Sequence, residues 1–191
     1  MARVIRWFPL LLVMTHLLPT TGITASDFRK ERIQTSAKLF GPILSSELEI
    51  QKKKSEEGYF LVYVLGNRGS KYKDLVEKSL SPKGGLKIGK QKTPVKIEAL
   101  EYPLSEEQLD QDPAAIFLAD NFCEEDIALI VEYGISKNIV TFSPFEGDVE
   151  KGVTAGMAVG ARILPYLNAT AIKKSSLTFN PMLLRIGKIY E

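Results

Sequence analysis

Three short apolar runs alternate with helical segments, and this alternation restricts the possible folds more than any other feature of the sequence. The runs are Tyr59–Leu65, Ala114–Ala119 and Ile139–Phe142. A continuous apolar run of this length is typical of a strand that is buried on both faces of a sheet. Strands that alternate with helices indicate βαβ units and a parallel sheet. We therefore predict a single α/β domain, Rossmann-like and three-layered, with a mostly parallel sheet.

The helices and the C-terminal part of the chain follow from local signals. Apolar residues at spacings of three and four predict a helix from about Phe28, which Gly41-Pro42 should kink or end because proline has no N–H. Alternating apolar residues over 153–163 predict an antiparallel strand or hairpin, with glycines where a neighbour approaches closely. A closing helix should begin at Pro181. We expect its buried face to consist of Leu183, Leu184, Ile186 and Ile189.

The N-terminus has the layout of a secretory signal. Two arginines precede the apolar run Trp7–Leu18, and small residues lead to Ala25. The run is shorter than the roughly 20 residues that a membrane span needs. We therefore expect a signal peptide over residues 1–25, cleaved near Ala25, and one exported domain over residues 26–191. The expected product is exported and does not itself span the membrane.

Removal of this signal would exclude several kinds of catalytic and metal-binding site. His16 is the only histidine and would be lost, and Cys123 is the only cysteine. Catalysis by Ser-His-Asp or Cys-His groups and zinc sites rich in histidine or cysteine are thereby excluded. We predict no catalytic residue, no metal site, no cofactor and no enzymatic activity. Cys123 itself is expected to be a small buried apolar residue, with an intermolecular disulfide as the alternative.

Charge is segregated along the chain. Residues 51–96 contain eleven lysines and Arg68 against four carboxylates, a net charge of +8, whereas residues 97–136 contain eleven carboxylates and no basic residue. Such blocks predict oppositely charged solvated faces, and they would also allow electrostatic steering of a partner or head-to-tail self-association. Nucleic-acid binding is not expected, because no basic stripe is interleaved with aromatic residues.

Candidate site residues cluster after the third predicted strand. The loop Ser143-Pro-Phe-Glu-Gly-Asp148 contains Phe145 and two carboxylates, Glu146 and Asp148. If the loop is extended, these carboxylates face the same way and could share a hard cation or perform acid–base work, although a rigid structural or ligand-contacting loop fits the residues better. Arg162 lies among apolar residues, where it would pair with Glu146 or Asp148 or recognise a carboxylate or phosphate. Asn168 is suited to cap a short helix.

The C-terminal part of the sequence resembles the YfiR/HmsC-like family of bacterial periplasmic proteins. The resemblance is carried by Ser143–Val153, by Arg162-Ile-Leu-Pro-Tyr-Leu-Asn168, and by Leu183–Ile186 before Tyr190-Glu191, and it extends from about residue 112 to residue 191. Ser36–Phe40 and the Tyr59–Leu65 strand agree in layout. The better-known members have cysteine pairs that this chain lacks, so control by disulfides is not implied.

This resemblance implies a non-enzymatic signalling protein, often a homodimer, in the periplasm. Its partner would be a membrane-bound sensor, either a diguanylate cyclase or a histidine kinase, whose periplasmic region it contacts. The alternative is a periplasmic protein that binds a small ligand such as a solute or anion. In open α/β sheets ligands bind beyond the carboxyl ends of the strands, so that pocket would lie at the ends of the three apolar runs.

Overall fold

The computed structural model describes residues 25–67, 69–81 and 84–191, so Met1–Thr24 of the predicted signal lies outside it. The helices in these ranges are α1 (Ala25–Ser45), α2 (Gly69–Leu80), α3 (Glu106–Asp110), α4 (Glu124–Ser136), α5 (Ala169–Lys174) and α6 (Pro181–Ile186). The strands are β1 (Phe60–Leu65), β2 (Leu86–Ile88), β3 (Gln91–Thr93), β4 (Val95–Leu100), β5 (Ala115–Leu118), β6 (Val140–Ser143), β7 (Ala155–Val159), β8 (Ile163–Asn168) and β9 (Lys188–Tyr190). No helix of this described part is long and apolar enough to cross a membrane.

Seven of the strands form one sheet in the order β4-β1-β5-β6-β7-β8-β9. Every neighbouring pair runs parallel except β7 and β8, which form an antiparallel hairpin. All residues of β1, β5 and β6 are buried. These three strands are the apolar runs of the sequence, and strand β4 lies at the edge as its polar alternation indicates. The Rossmann-like α/β fold with a mostly parallel sheet is therefore confirmed.

Helices cover both faces of the sheet and make it the middle of three layers. Along β1, Phe60, Val62 and Val64 belong to one core cluster, and the alternate residues belong to the other. The first cluster packs against α1 and α2 and contains the rings of Phe40, Phe117 and Phe142, whose centroids lie 5.1–5.4 Å apart. The second cluster packs against α4. Side-chain alternation along strands thus builds two cores.

The two charged segments of the sequence lie on opposite sides of this sheet. The lysine-rich segment contributes α2 and the small β2–β3 hairpin, whose buried residues pack in the α1 cluster. The acidic segment contributes α3 and α4, on the other face. The predicted separation into oppositely charged faces therefore has a simple geometric cause. It follows from the two segments covering different faces of one sheet.

Two expectations for individual residues are wrong, the first of them in part. Helix α1 does not end at Gly41-Pro42 but continues past Pro42 to Ser45, because Ile43 and Leu44 are completely buried and hold the last turn against the core. Ser46 Oγ also donates to the carbonyl oxygen of Pro42 at 2.7 Å. Cys123 is exposed rather than buried, because it occupies the N-cap position of α4 at the surface.

The C-terminal segment contains the predicted hairpin and the predicted closing helix α6. Gly156 in β7 allows the close approach that we expected, since an added Cβ would lie 2.6 Å from Val149 Cγ2 and 2.8 Å from Ser143 O. The expected buried face of α6 is largely wrong, however. Leu183 alone among its four predicted residues is buried, and Leu184, Ile186 and Ile189 are exposed. The reason is that β9 follows directly as an edge strand, so nothing in the described chain covers this side.

Candidate functional site

A cleft of about 430 Å³ opens at the carboxyl ends of β5 and β6. Its walls come from three places in the chain: the first turns of α1, the loop that follows β5, and the loop that follows β6. Ligands of open α/β sheets bind at this end of the strands, so the position of the cleft is itself a functional signal. The residues that line it are Phe28, Arg29, Arg32, Asn121, Phe122, Phe145, Glu146, Asp148 and Lys151.

The loop after β6 is held by one buried polar pair. Ser143 Oγ donates to Asp148 Oδ2 at 2.6 Å, and the Phe145 backbone N–H donates to the same serine oxygen at 3.1 Å. Ser143 and Asp148 are both buried. Because one hydroxyl connects the start, the middle and the end of the loop, Phe145 has a fixed position at the edge of the cleft.

Asp148 is the buried carboxylate of this loop. Burial raises its pKa above the ordinary value, while the hydrogen bond from Ser143 and the charge of Lys151 act in the opposite direction. Lys151 Nζ lies 3.6 Å from Asp148 Oδ1. The cleft therefore has one carboxylate whose charge is costly and is compensated by two neighbours, a hydroxyl and an ammonium group.

Two arginines from α1 reach across to the loops. Arg29 forms an ion pair with Asp120, which lies two residues after the end of β5. Arg32 Nε donates to the carbonyl oxygen of Pro144 at 2.5 Å. Among the described residues Arg32 has no carboxylate partner, so its terminal N–H groups are free of any ion pair that the structure shows. A guanidinium in this state is suited to a carboxylate or phosphate, which it can bind with two parallel hydrogen bonds.

Three phenylalanines supply the apolar surface of the cleft. Phe28 on α1 is 63% exposed, an unusual state for a side chain of this size. Phe122, in the loop after β5, and Phe145, in the loop after β6, are half-buried. The cleft thus brings together aromatic rings, carboxylates and a guanidinium that has no ion pair among the described residues, which are the groups that recognise an amphipathic small molecule.

The predicted site residues separate into two groups. Phe145, Glu146 and Asp148 line the cleft, and Ser143 supports it from below. Glu146 and Asp148 do not face the same way, because the loop is a series of turns rather than an extended strand: Glu146 is exposed and Asp148 is buried. The described residues also contain no group of three His, Cys, Asp or Glu side chains that could hold a metal ion.

Arg162 and Asn168 lie elsewhere. Arg162 is exposed near the turn of the β7–β8 hairpin and pairs with neither Glu146 nor Asp148, so that predicted ion pair is wrong. The physical reason is that Arg162 lies in the turn between β7 and β8, where residues 160–164 are all exposed. Asn168 accepts a hydrogen bond from the Ala171 N–H and thereby caps α5, as expected, and its Nδ2 donates to Val149 O at 2.7 Å. It steadies the loop from behind without touching the cleft.

The residues of α1 and of the loop after β5 that line the cleft or pair beside it were not among the site residues predicted from the sequence. Arg29 and Arg32 are three apart on one helix, and Asp120 and Asn121 directly follow a predicted buried strand. Both are usable signals, because polar residues beyond the carboxyl end of a parallel strand commonly face a ligand. What no local pattern could provide was the position of the start of α1 over β5 and β6.

No protein-family model matches this chain, and no curated protein matches it. Two solved structures are similar in fold. One is the ABC domain in complex with L-Trp from Streptococcus pneumonia, with a TM-score of 0.50 and 11% sequence identity over 77% of this chain and 62% of that chain. The other is a conserved domain protein from Vibrio cholerae O1 biovar El Tor, with a TM-score of 0.51 and 13% identity over 76% of this chain and 60% of that chain. The chain thus spans about six tenths of each, and at these identities the likeness concerns the α/β fold alone.

Proposed function

We propose that this chain is a binding protein for a small zwitterionic ligand that carries an aromatic ring, and that the ligand occupies the cleft at the ends of β5 and β6. The observation that carries the proposal is the convergence of Arg32, Phe145 and Glu146 on one opening of about 430 Å³. That volume is within the usual range for small-molecule sites.

Each part of such a ligand has a counterpart in the cleft. The free N–H groups of Arg32 would bind its carboxylate, and Phe28, Phe122 and Phe145 would pack against its ring. Glu146, exposed at the rim, would attract its ammonium group. Because Asp148 is buried and already bound to Ser143 and Lys151, it would stabilise the conformation of the loop after β6 and would not contact the ligand.

The similar ABC domain from Streptococcus pneumonia was solved in complex with L-Trp, an aromatic zwitterion. This supports the ligand class proposed for our chain, although the two sequences share only 11% of aligned residues. Our argument rests on the cleft residues, since fold alone does not determine function.

A calorimetric titration of residues 26–191 with aromatic amino acids tests the proposal. We expect saturable binding of L-tryptophan or L-phenylalanine, and weaker binding of tryptamine and of indole propionate, which each lack one charged group. A matching rise in melting temperature should accompany binding, because a ligand of the folded state stabilises it by RT ln(1 + [L]/Kd). If no aromatic amino acid binds, or if the compound lacking the carboxylate binds as well as the amino acid, the proposal is wrong.

The proposed location is the periplasm, after cleavage of residues 1–25. The basic, apolar and small-residue order of this segment supports the location. N-terminal sequencing of protein recovered from a periplasmic fraction would find a new terminus near Ser26. Protein that retains Met1 in the cytosol would contradict it.

A second candidate function is regulation through protein contact, as the YfiR/HmsC-like resemblance implies. The observation that favours it is an uncovered apolar surface around β8, α6 and β9, which we name the C-terminal apolar face. Its exposed members are Val159, Ile163, Met182, Leu184, Ile186 and Ile189. Val159 lies opposite Ile163 in the hairpin, and Ile189 lies opposite Leu167, which is four residues from Ile163 on the same side of β8. Exposed apolar patches are typical of protein contacts, and here the partner would be the periplasmic region of a membrane-bound diguanylate cyclase or histidine kinase.

The same face would also serve a homodimer, because β9 is an edge strand that could pair with its copy. Sedimentation analysis and co-purification from membranes separate these cases. A dimer in isolation supports self-association, whereas a monomer that is retained by a sensor supports regulation. A monomer that no sensor retains contradicts the second candidate function without affecting the cleft.

A further inference from the structure

A second cavity, of about 250 Å³, lies on the opposite face of the sheet from α1. Leu65 and Ile116, both completely buried, form its floor, and Ile130 of α4 forms one wall. The segment Tyr102–Leu104 and helix α3 complete the lining. It shares no lining residue with the cleft described above, so the two sites can be tested separately.

Two tyrosine hydroxyls beside this cavity are engaged in hydrogen bonds. Tyr133 Oη shares its one O–H between the carbonyl oxygens of Leu109 (3.4 Å) and Gln111 (3.2 Å). Tyr63 Oη, from β1, shares its O–H between Gln108 O and Gln111 Oε1, each at 3.1 Å. The two hydroxyls thus hold α3 and the residues after it in place. The cavity is left with tyrosine ring surfaces and aliphatic side chains, so the group that enters it must be apolar.

The opening of the cavity is apolar as well. Leu129 is 56% exposed and Leu109 is 37% exposed at its edge. A ligand that covers these leucines removes them from water, which is the main source of affinity for an apolar group. An apolar cavity of the order of 150 Å³ accommodates benzene, so this one has room for a single aromatic ring with a short chain.

The charges around the opening are negative. Residues 97–136, which supply most of the lining, contain no basic residue. Asp110 directly follows Leu109 in α3, and Asp126 precedes Leu129 and Ile130 by one turn of α4, so both carboxylates lie on the elements that form the opening. Burial and then the charge of Asp126 raise the pKa of Tyr102, and burial and then the charges of Asp112 and Asp110 raise the pKa of Tyr133. Lys53 pairs with Asp112 at 2.9 Å, but Asp110 and Asp126 have no ion pair among the described residues.

We propose that this cavity binds a small organic cation, an aromatic or alkyl ammonium compound whose apolar part enters between α3 and α4 and whose ammonium group remains at the acidic opening. Complementary charge selects the cation over an anion of the same shape. This inference goes beyond the proposed binding of a zwitterion at the ends of β5 and β6, and it does not depend on it.

Three probes of nearly equal shape test the charge preference: 2-phenylethylammonium, 2-phenylethanol and phenylacetate. In an NMR titration of residues 26–191 we expect the ammonium to bind about fivefold more tightly than the alcohol, the effect of one exposed ion pair, and the anion to bind most weakly. Resonances of Leu129, Ile130 and Tyr133 should shift, and those of Phe145 should not. The ammonium's advantage should decrease in high salt.

Two variants complete the test. Leu129→Ser should weaken all three probes, whereas Leu48→Ser, at a leucine that is 57% exposed elsewhere, should not. Asp126→Asn should weaken the ammonium and leave the alcohol unchanged. The proposal is overturned if no probe binds at millimolar concentration, if the three bind equally, or if the ammonium shifts resonances of the Phe145 cleft instead.

Discussion

Ser143 and Asp148 are joined inside the loop after β6 by a hydrogen bond of 2.6 Å between the serine hydroxyl and a carboxylate that is only 4% exposed. Removal of the hydroxyl by Ser143→Ala leaves the Phe145 N–H without its partner and leaves the Asp148 carboxylate with Lys151 alone. We expect a loss of about 1–3 kcal/mol in the free energy of unfolding, because unsatisfied buried polar groups cost this much. Urea denaturation measures it.

Ser79→Ala is the matched control for that experiment. Ser79 Oγ donates only to Leu75 O within α2, and its loss should change the free energy of unfolding by less than about 0.5 kcal/mol. Equal effects of the two substitutions would mean that the Ser143–Asp148 pair has no special role in the loop.

The charge of Asp148 should make stability depend on pH. Burial raises its pKa in the folded protein above the ordinary value of 3.8, so the folded state holds the proton more tightly than the unfolded chain does. The resulting stabilisation is fully present below that ordinary value and is lost as the pH rises through the folded pKa. Relative to Asp148→Asn, the wild-type protein should therefore become less stable with rising pH.

Urea titrations between pH 3.5 and pH 7 test this sign, with Asp74→Asn as the control at an exposed aspartate of α2. The difference between wild type and Asp148→Asn should fall with rising pH, and the difference for the control should not follow the same course. A difference that grows with rising pH would mean that Ser143 and Lys151 outweigh burial.

Arg32 should contribute most of the affinity for a carboxylate in the cleft. Arg32→Gln removes the guanidinium and retains a hydrogen-bonding side chain, and we expect the affinity for an aromatic amino acid to fall by about tenfold to a hundredfold. Arg162→Gln, at an exposed arginine of the β7–β8 turn, should leave the affinity unchanged. Calorimetric titration of both variants decides whether Arg32 contacts the ligand.

The sheet and the loops differ in how far the sequence determines them. Strands β1, β5 and β6 could be predicted because a continuous apolar run is compatible with few structures other than a buried strand. The cleft could be predicted only in part. The loop after β6 could be predicted because it follows a strand. Arg29, however, contacts the loop after β5 across 91 residues of chain, and Arg32 contacts the loop after β6 across 112, relations that only the packing of α1 creates.

The C-terminal apolar face shows a second limit of prediction from the sequence, because residues with the spacing of a buried helix face are exposed there. The spacing of Leu183, Leu184 and Ile186 is typical of a helix with one buried face, yet Leu184 and Ile186 are exposed. Periodicity reports that a face is apolar, and it does not report what covers that face.

Ile163→Glu should abolish a protein contact made by the C-terminal apolar face. The free energy of unfolding should stay within about 0.5 kcal/mol of the wild-type value, because Ile163 is 46% exposed. Sedimentation and membrane co-purification measure the contact.

Gly156 gives the sharpest test of packing near the loop. A Cβ at this position would lie 2.6 Å from Val149 Cγ2 and 2.8 Å from Ser143 O, whereas one at Gly160 would have only Arg162 O within 4 Å, at 3.9 Å. Gly156→Ala should therefore destabilise the protein by about 1–3 kcal/mol through overpacking, and Gly160→Ala should cost far less. Since the displaced backbone belongs to Ser143, Gly156→Ala should also weaken ligand binding in the cleft. Equal stability of the two variants, measured by urea denaturation, would contradict the close contact between β7 and the loop after β6.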